Sequence, residues 1–340
     1  MSGYKRIQFI GYSISTGPKA VREDARKETM YTGDQDPVVD LGKRSAFLRD
    51  VLEKVSSNSH ISQNKDVLKL LMLPEFFFRG QEQAYEMRHV DNLIASLKAS
   101  VIDSQWQDWV FVFGTVIGAG QSEGNNGADG YQYCLIQQGG RNKGKRNSQT
   151  RIVMREHLAE NEFITVDVKN NEKERWERSH HCLPPEYWGV GMEEQQNHYD
   201  GRSIFELEGI TFGLEIGQDH EEGRLKFSSQ YAGHKKVQIQ LIPSCGAEIL
   251  SESVVAAKEG WVFSCDGLNE CDTDLRKVIT ERSVTEDRPA QIALYPQLPP
   301  YTIRTSCKTE ELFNGGAGKI RFYEPVEIPE PIIVQQTEKV

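Results

Sequence analysis

Residues 212–225 read FGLEIGQDHEEGRL, and this stretch decides how the rest of the chain is interpreted. Its first half is apolar and of strand length, and it breaks at Gly217 into a polar turn. α/β proteins deliver reactive side chains to the edge of a sheet in this way, at the ends of buried strands. The residue at the break is a glycine, so the turn presents no reactive group at its first position.

Comparable apolar runs recur along the chain and are nearly continuous rather than alternating, which predicts strands buried on both faces. Two intervening segments, residues 43–57 and 90–105, carry apolar residues at helical spacing. Strands that alternate with helices predict a layered α/β domain. The predicted strands are residues 7–14, 67–75, 109–118, 131–137, 203–216, 237–244 and 261–267.

The chain has 340 residues, of which 38% are hydrophobic, enough for one large domain with a substantial core. We predict a single α/β domain over residues 1–285, followed by a C-terminal extension over 286–340. Two segments, residues 118–130 and 170–197, are predicted to be insertions within that domain. The second contains two tryptophans and two prolines, which favours an ordered insertion over a flexible linker.

The formal net charge of −10 argues against nucleic acid or an anionic membrane as the main partner. No apolar run approaches the length of about 20 residues that a membrane helix needs. The six cysteines are scattered without a CxxC pair, which is typical of reduced thiols in a cytoplasmic protein. We predict no metal site and no cofactor, and a small molecule as the partner.

Three strand ends carry the chemistry. Glu75 follows the buried run "LKLLMLPE", where a carboxylate is costly unless it is paired or used. Arg155 and His157 follow the run "RIVM", and the third strand end is the turn at Gly217. Two further residues, Ser244 and Cys245, end the run "VQIQLIPS" and its continuation. Because α/β proteins place their chemistry at strand ends, these groups are expected to meet at one pocket. The alternative for Glu75 is a simple strand-end carboxylate paired with Arg79.

In this order the segments "LPE", "REHL" and "GLEIGQD" resemble the nitrilase (carbon–nitrogen hydrolase) superfamily over about residues 5–280. The resemblance implies a four-layer α-β-β-α sandwich, commonly paired into homodimers, and a Glu–Lys–Cys catalytic triad. Glu75 matches the glutamate of that triad. Arg155 stands where the lysine is expected, and Gly217 stands where the cysteine is expected. The resemblance places Arg155 opposite Glu75, which implies an ion pair between them in the pocket rather than a surface charge at Arg155.

These two departures change the expected chemistry. Arg155 keeps a positive charge that can stabilise a developing oxyanion, but a guanidinium does not readily give up a proton. Gly217 removes the nucleophile, so no thioester can form there. Because the resemblance places a cysteine in this same turn, we expect the fold to tolerate the double change Gly217→Cys with Arg155→Lys.

Other polar residues near the strand ends are candidates for the same site. In the turn, His220 is a candidate proton carrier, and Gly217, Gln218 and Asp219 are candidate ligand contacts. The alternative for Asp219 and His220 is a turn-forming, solvated role. Cys245 is either a relocated nucleophile or a small residue packed beneath the pocket. Ser244 and His157 complete the candidate binding residues, although a histidine at 157 more often has a packing role.

Two functions compete on this basis. In the first, Glu75 acts as general base and Arg155 as charge stabiliser on a small amide, amidine or nitrile-like compound, without a family thiolate. In the second, the chain is a pseudoenzyme that keeps the pocket and serves as a small-molecule binding or scaffolding protein. A third reading takes Gly217 as a change introduced to inactivate an ordinary cysteine amidase, which leaves Arg155 without an explanation.

Overall fold

The computed structural model describes most of the two sheets and the helices that cover them. The described residues are 3–17, 19–23, 26–81, 84–121, 128–140, 150–155, 164–168, 172–176, 203–227, 236–268, 272–279, 284–285, 288–289, 293–305 and 311–332.

Two sheets contain most of the described strands. The longer helices are α1 (Pro37–Ser56) and α2 (Met87–Ser100), and the short ones are α3 (Gln218–Glu221) and α4 (Arg224–Phe227). The strands are β1 (Arg6–Ser15), β2 (Lys19–Glu23), β3 (Arg26–Met30), β4 (Val67–Met72), β5 (Tyr85–Glu86), β6 (Trp109–Gln121), β7 (Ala128–Gln138), β8 (Thr150–Met154), β9 (Ile164–Val168), β10 (Glu172–Trp176), β11 (Ile204–Leu207), β12 (Ile210–Leu214), β13 (Ile239–Ser244), β14 (Trp261–Asp266), β15 (Thr273–Lys277), β16 (Val284–Thr285), β17 (Arg288–Pro289), β18 (Tyr301–Arg304), β19 (Asn314–Phe322) and β20 (Val326–Glu327).

The first sheet has the order β18-β19-β1-β4-β6-β7-β8, and the second has the order β11-β12-β13-β14-β15. The central strands of each sheet are parallel, namely β1, β4 and β6 in the first and β12, β13 and β14 in the second. Every residue of β4, β12 and β13 is buried. The continuous apolar runs therefore form strands that are covered on both faces, as predicted.

The side chains of the first sheet divide between two cores. Leu68, Leu70 and Met72 on β4 pack against side chains of the second sheet, such as Phe263. On the opposite face of the first sheet, the outward side chains pack with the apolar stripes of α1 and α2. A third cluster joins the outer face of the second sheet to Leu225 in α4. The layers are helix, sheet, sheet and helix, so the predicted α-β-β-α sandwich is confirmed.

The sequence missed some details of this architecture. The run at residues 203–216 is two antiparallel strands, β11 and β12, which turn at Glu208 and Gly209. Of the predicted insertion at residues 118–130, the described residues 118–121 and 128–130 belong to the paired strands β6 and β7. Within the predicted C-terminal extension, β19 pairs with β1 in the first sheet. Of the predicted insertion at 170–197, the structure describes only β10, paired with β9.

Helix α1 begins earlier in the chain than the apolar periodicity predicts, because a capping signal sets its start. Asp36 caps the helix, since its carboxylate accepts hydrogen bonds from the backbone N–H groups of Val38 and Val39. Pro37 occupies the first turn, where a missing N–H costs nothing. No helix among the described residues is both long and apolar enough to cross a membrane.

Candidate active site

A buried ion pair joins two of the predicted strand ends. The Nη1 atom of Arg155 donates to Oε1 of Glu75 at 2.9 Å, and the two residues are only 1% and 2% exposed. Glu75 follows β4 and Arg155 follows β8, at the same edge of the first sheet. The sequence left open whether Glu75 pairs with Arg155 or with Arg79. The structure pairs it with Arg155, while the Arg79 guanidinium lies over the Tyr31 ring, 3.6 Å from its centroid.

Two residues that the sequence analysis missed complete this network. Gln132 on β7 donates to Glu75 Oε1 at 2.7 Å and accepts from Arg155 at 3.1 Å. The hydroxyl of Thr115 on β6 accepts from Gln132 and from the backbone N–H of Phe76. A glutamine inside the apolar run of β7 was the available signal, since a buried amide needs hydrogen-bond partners. The Glu75 carboxylate is thus bound both by the Arg155 guanidinium and by the Gln132 side-chain amide.

The backbone around Glu75 is strained, as at many functional sites. Phe76 has a φ of 59°, which is rare for a residue with a side chain. Gly114 has a φ of 66°, and a Cβ on it would lie 2.3 Å from the carbonyl oxygen of Pro74. Only a glycine lets β6 pass this close to the Pro74–Glu75 segment. The strained backbone at Phe76 and the close approach of Gly114 therefore fix the position of the Glu75 carboxylate.

The turn at Gly217, which follows β12 in the second sheet, lies against the same carboxylate. Gly217 has a φ of 46°, and a Cβ built on it would lie 2.4 Å from Glu75 Oε2. The Gly217 N–H donates to the carbonyl of Pro243, near the end of β13, at 3.1 Å. The Glu75 N–H donates to the carbonyl of Ser244 at 3.3 Å. The predicted convergence of Glu75, Arg155 and Gly217 is therefore present, but a side chain at position 217 would require the Glu75 carboxylate to move.

This contact corrects one expectation. The fold was expected to tolerate a cysteine at position 217, yet a side chain there meets both an unfavourable φ and the Glu75 carboxylate. Glycine adopts this backbone conformation at the lowest cost. The glycine at position 217 lets the Glu75 carboxylate approach the turn closely, and it also leaves the turn without a nucleophile at this position.

His220 is bonded elsewhere. It is fully buried, and its Nε2 atom accepts the backbone N–H of Leu250 at 3.0 Å. The proton therefore sits on Nδ1, which donates to Glu215 Oε2 at 2.7 Å. Gln240 donates to the same carboxylate oxygen of Glu215. Both nitrogens of His220 are engaged in this packing network, which is separate from the hydrogen bonds of Glu75, so the geometry does not support the predicted role as proton carrier.

Asp219 and Gln218 also serve the turn itself. Asp219 is fully buried and accepts from Arg224 at 3.3 Å, and Arg224 donates to the carbonyl of Met154 at 2.7 Å. This chain of bonds ties the Gly217 turn to the residue that precedes Arg155. Gln218 donates to Glu222 at the surface. The structure thus gives both residues partners within the turn, and Arg224, which the sequence analysis passed over, positions the strand end that carries Arg155.

Ser244 and Cys245 lie beside the site without reactive geometry. The Ser244 hydroxyl donates to Asp266 at 2.8 Å. Burial raises the pKa of the Cys245 thiol, and the nearby Glu75 carboxylate raises it further. A nucleophilic thiol needs the opposite shift, so the interpretation of Cys245 as a relocated nucleophile loses its support. Packing beneath the site, beside Phe76, is the role that its surroundings favour. His157 lies outside the described residues.

Slow alkylation of Cys245 is the expected result of this environment. Iodoacetamide reacts with thiolate, and each unit of raised pKa lowers the thiolate fraction about tenfold near neutral pH. We expect labelling of the folded protein at pH 7.5 to be more than about tenfold slower at Cys245 than in the urea-unfolded chain, measured by peptide mass spectrometry. The rate should still climb through pH 9, because a raised pKa leaves the thiol protonated there. A labelling rate that levels off near pH 7 would support the interpretation of Cys245 as a nucleophile.

The chain matches no protein-family model and no curated protein. Among solved structures, it is similar to a mutant of the amidase from Nesterenkonia sp. AN1 in complex with butyramide, with 12% identity, a TM-score of 0.39, and coverage of 95% of this chain and 92% of that one. It is also similar to a glutamine-dependent NAD(+) synthetase from Cytophaga hutchinsonii, with 11% identity and a TM-score of 0.36. That match covers 85% of this chain and 43% of the synthetase. At TM-scores below 0.5 these likenesses assign neither a family nor a function.

Proposed function

We propose that this chain is a carbon–nitrogen-hydrolase-like protein that performs no covalent catalysis and serves as a small-molecule binding protein. The observation that carries the proposal is the contact between Gly217 and Glu75. A side-chain atom at position 217 would lie 2.4 Å from Glu75 Oε2, so the place of a nucleophile is taken by the carboxylate itself. Covalent acyl transfer needs a thiol or hydroxyl at that place.

The surroundings of Glu75 support the same conclusion. Its Oε1 atom accepts from both Arg155 and Gln132, and its backbone N–H is bonded to Ser244 in the second sheet. Such a network links the strand ends of the two sheets and is typical of a structural lock. The alternative nucleophile that the sequence suggested, Cys245, has a raised pKa. The balance between the two competing functions therefore shifts from the enzyme toward the non-catalytic protein.

Turnover assays test this proposal directly. We expect the purified protein to release no ammonia above background from a panel of short amides, amidines and nitriles. Under the same conditions, a cysteine-dependent amidase assayed in parallel should release it readily. No acyl-protein adduct should appear by intact mass spectrometry, because no thiolate occupies the site. Enzymatic release of ammonia in proportion to protein concentration would contradict the proposal.

A second candidate function rests on one specific observation. A buried carboxylate that faces a buried cation at 2.9 Å, at a strand end, is an arrangement that can activate water and stabilise an oxyanion. If turnover is found, Glu75→Asp separates the two cases, since aspartate keeps the negative charge but withdraws it by one methylene. A general base loses most of its rate by this change. The exposed Glu311 supplies the matched control, as Glu311→Gln should leave the rate unchanged.

A further inference from the structure

A cavity of about 440 Å³ lies at the carboxyl ends of β13 and β14, and Glu75 is not among the residues that line it. On β14 the side chain of Phe263 faces the core between the sheets, so the next residue, Ser264, faces the outer side of the second sheet. Asp274 on β15 lies directly opposite Ser264 in the antiparallel register. Both residues line the cavity. The cavity therefore opens on the outer face of the second sheet.

The lining of this cavity is strongly acidic. Four carboxylates and one guanidinium contribute to it: Glu248, Asp266, Asp272, Asp274 and Arg276. Two of the carboxylates have a cationic partner, since Arg276 bonds Asp274 Oδ2 at 2.6 Å and Arg321 bonds Asp272 Oδ1 at 2.9 Å, so the four carboxylates still outnumber the two guanidiniums. A concave surface with an excess of one sign of charge concentrates counter-ions of the opposite sign. The ligand that fits this electrostatic field is a cation.

Two acceptors in the wall have no protein partner in the part of the chain that the structure describes. Ser264 is 5% exposed, and no hydrogen bond is formed by its hydroxyl within that part. The Oδ1 atom of Asp274 is buried and also has no hydrogen-bond partner there. Buried polar atoms almost always have partners, so the Asp274 oxygen is an exception that requires an explanation, and the cavity-lining Ser264 hydroxyl lies on the strand directly opposite it. A ligand that donates hydrogen bonds to Ser264 and Asp274 would provide that explanation.

We propose that this cavity binds a small organic ammonium ion, with the Ser264 hydroxyl and the Asp274 carboxylate as its acceptors. An ammonium group carries three donors on one cationic centre, which suits two adjacent acceptors in an acidic wall. The volume falls within the range of small-molecule pockets, roughly 300–1,000 Å³. Among the described residues no three His, Cys, Asp or Glu side chains are placed to hold a metal ion, which favours an organic cation over a metal.

This inference goes beyond the proposed function and does not depend on it, because Glu75 does not line the cavity. Titration calorimetry of the full chain with 1,5-diaminopentane tests it, with 1,5-pentanediol as the uncharged analogue. We expect saturable binding of the diamine and none of the diol. The affinity should fall as salt is added, since partly exposed carboxylates are screened. Absence of saturable diamine binding, or equal binding of the diol, overturns the proposal.

Variants then assign the site. Ser264→Ala removes only an acceptor that has no partner in the described protein, so the fold should be unaffected and the Kd of the diamine should rise about tenfold. Glu248→Gln should raise the Kd of the diamine a few-fold, because it removes one negative charge from the cavity wall. The exposed Glu311→Gln is the matched control and should leave the Kd unchanged. An unchanged Kd in Ser264→Ala, or displacement of the diamine by equimolar Mg²⁺, would exclude this site or this ligand class.

Discussion

Replacing Glu75 with glutamine is expected to lower the free energy of unfolding by about 3–5 kcal/mol, because it removes the carboxylate that forms an ion pair with the buried Arg155 guanidinium. Arg155 is only 1% exposed, so solvent cannot take over the role of the carboxylate. A guanidinium does not deprotonate under these conditions and so cannot escape the penalty by becoming neutral. Urea denaturation followed by circular dichroism measures the change.

The opposite substitution should be less severe. Arg155→Met leaves the Glu75 carboxyl buried, but a carboxyl can become neutral by binding a proton, and Gln132 still donates to it. The double variant Glu75→Gln with Arg155→Met should lose less stability than the sum of the two single changes, since no unpaired charge then remains. Strictly additive losses would show that the two side chains do not stabilise one another.

A surface ion pair of similar length gives the control. Arg88 and Glu86 lie 2.8 Å apart, but both side chains are more than half exposed. Breaking this pair with Arg88→Met should cost at most about 1 kcal/mol, because water solvates the remaining charge. Equal losses from Arg88→Met and from Glu75→Gln would mean that burial does not amplify the effect, contrary to the structural lock described above.

Much of the architecture was readable from the sequence because the strands are buried on both faces. A run such as "LKLLM" is apolar at nearly every position, and only a covered strand or a core helix explains it. The hairpin at Glu208 and Gly209 was missed because the apolar pattern continues through the turn, with β11 and β12 merging into one run. The pairing of β19 with β1 joins residues about 300 positions apart, and no local pattern carries that information.

The candidate site was predictable in part for the same reason. Strand ends can be located from apolar runs, so Glu75, Arg155 and Gly217 were placed together correctly. Hydrogen-bond partners within the turn are set by tertiary geometry, and two polar residues next to a site look alike in sequence whether they face it or not. His220 is the example: its position beside Gly217 suggested reactivity, while its ring nitrogens are taken up by Glu215 and Leu250.

The glycine itself supports the last prediction. Gly217→Ala is expected to destabilise the protein by about 3 kcal/mol or more, because it combines an unfavourable backbone conformation with overpacking against Glu75. The φ of 46° is adopted easily by glycine alone, and the added Cβ would lie 2.4 Å from Glu75 Oε2. Relief of that overlap requires Glu75 to move away from Arg155, which weakens the buried pair as well.

Gly42 in helix α1 provides a matched glycine-to-alanine control. A Cβ at Gly42 meets no atom within 4 Å, so Gly42→Ala should stabilise the protein by up to about 1 kcal/mol through helix propensity. Opposite signs for the two substitutions, measured by urea denaturation, are the expected result. The same geometry predicts that Gly217→Cys with Arg155→Lys yields a destabilised protein rather than a restored catalytic triad. A fully stable double variant with a rapidly alkylated thiol at position 217 would show that Glu75 can move away at little cost in stability. That result would favour the enzyme over the non-catalytic protein.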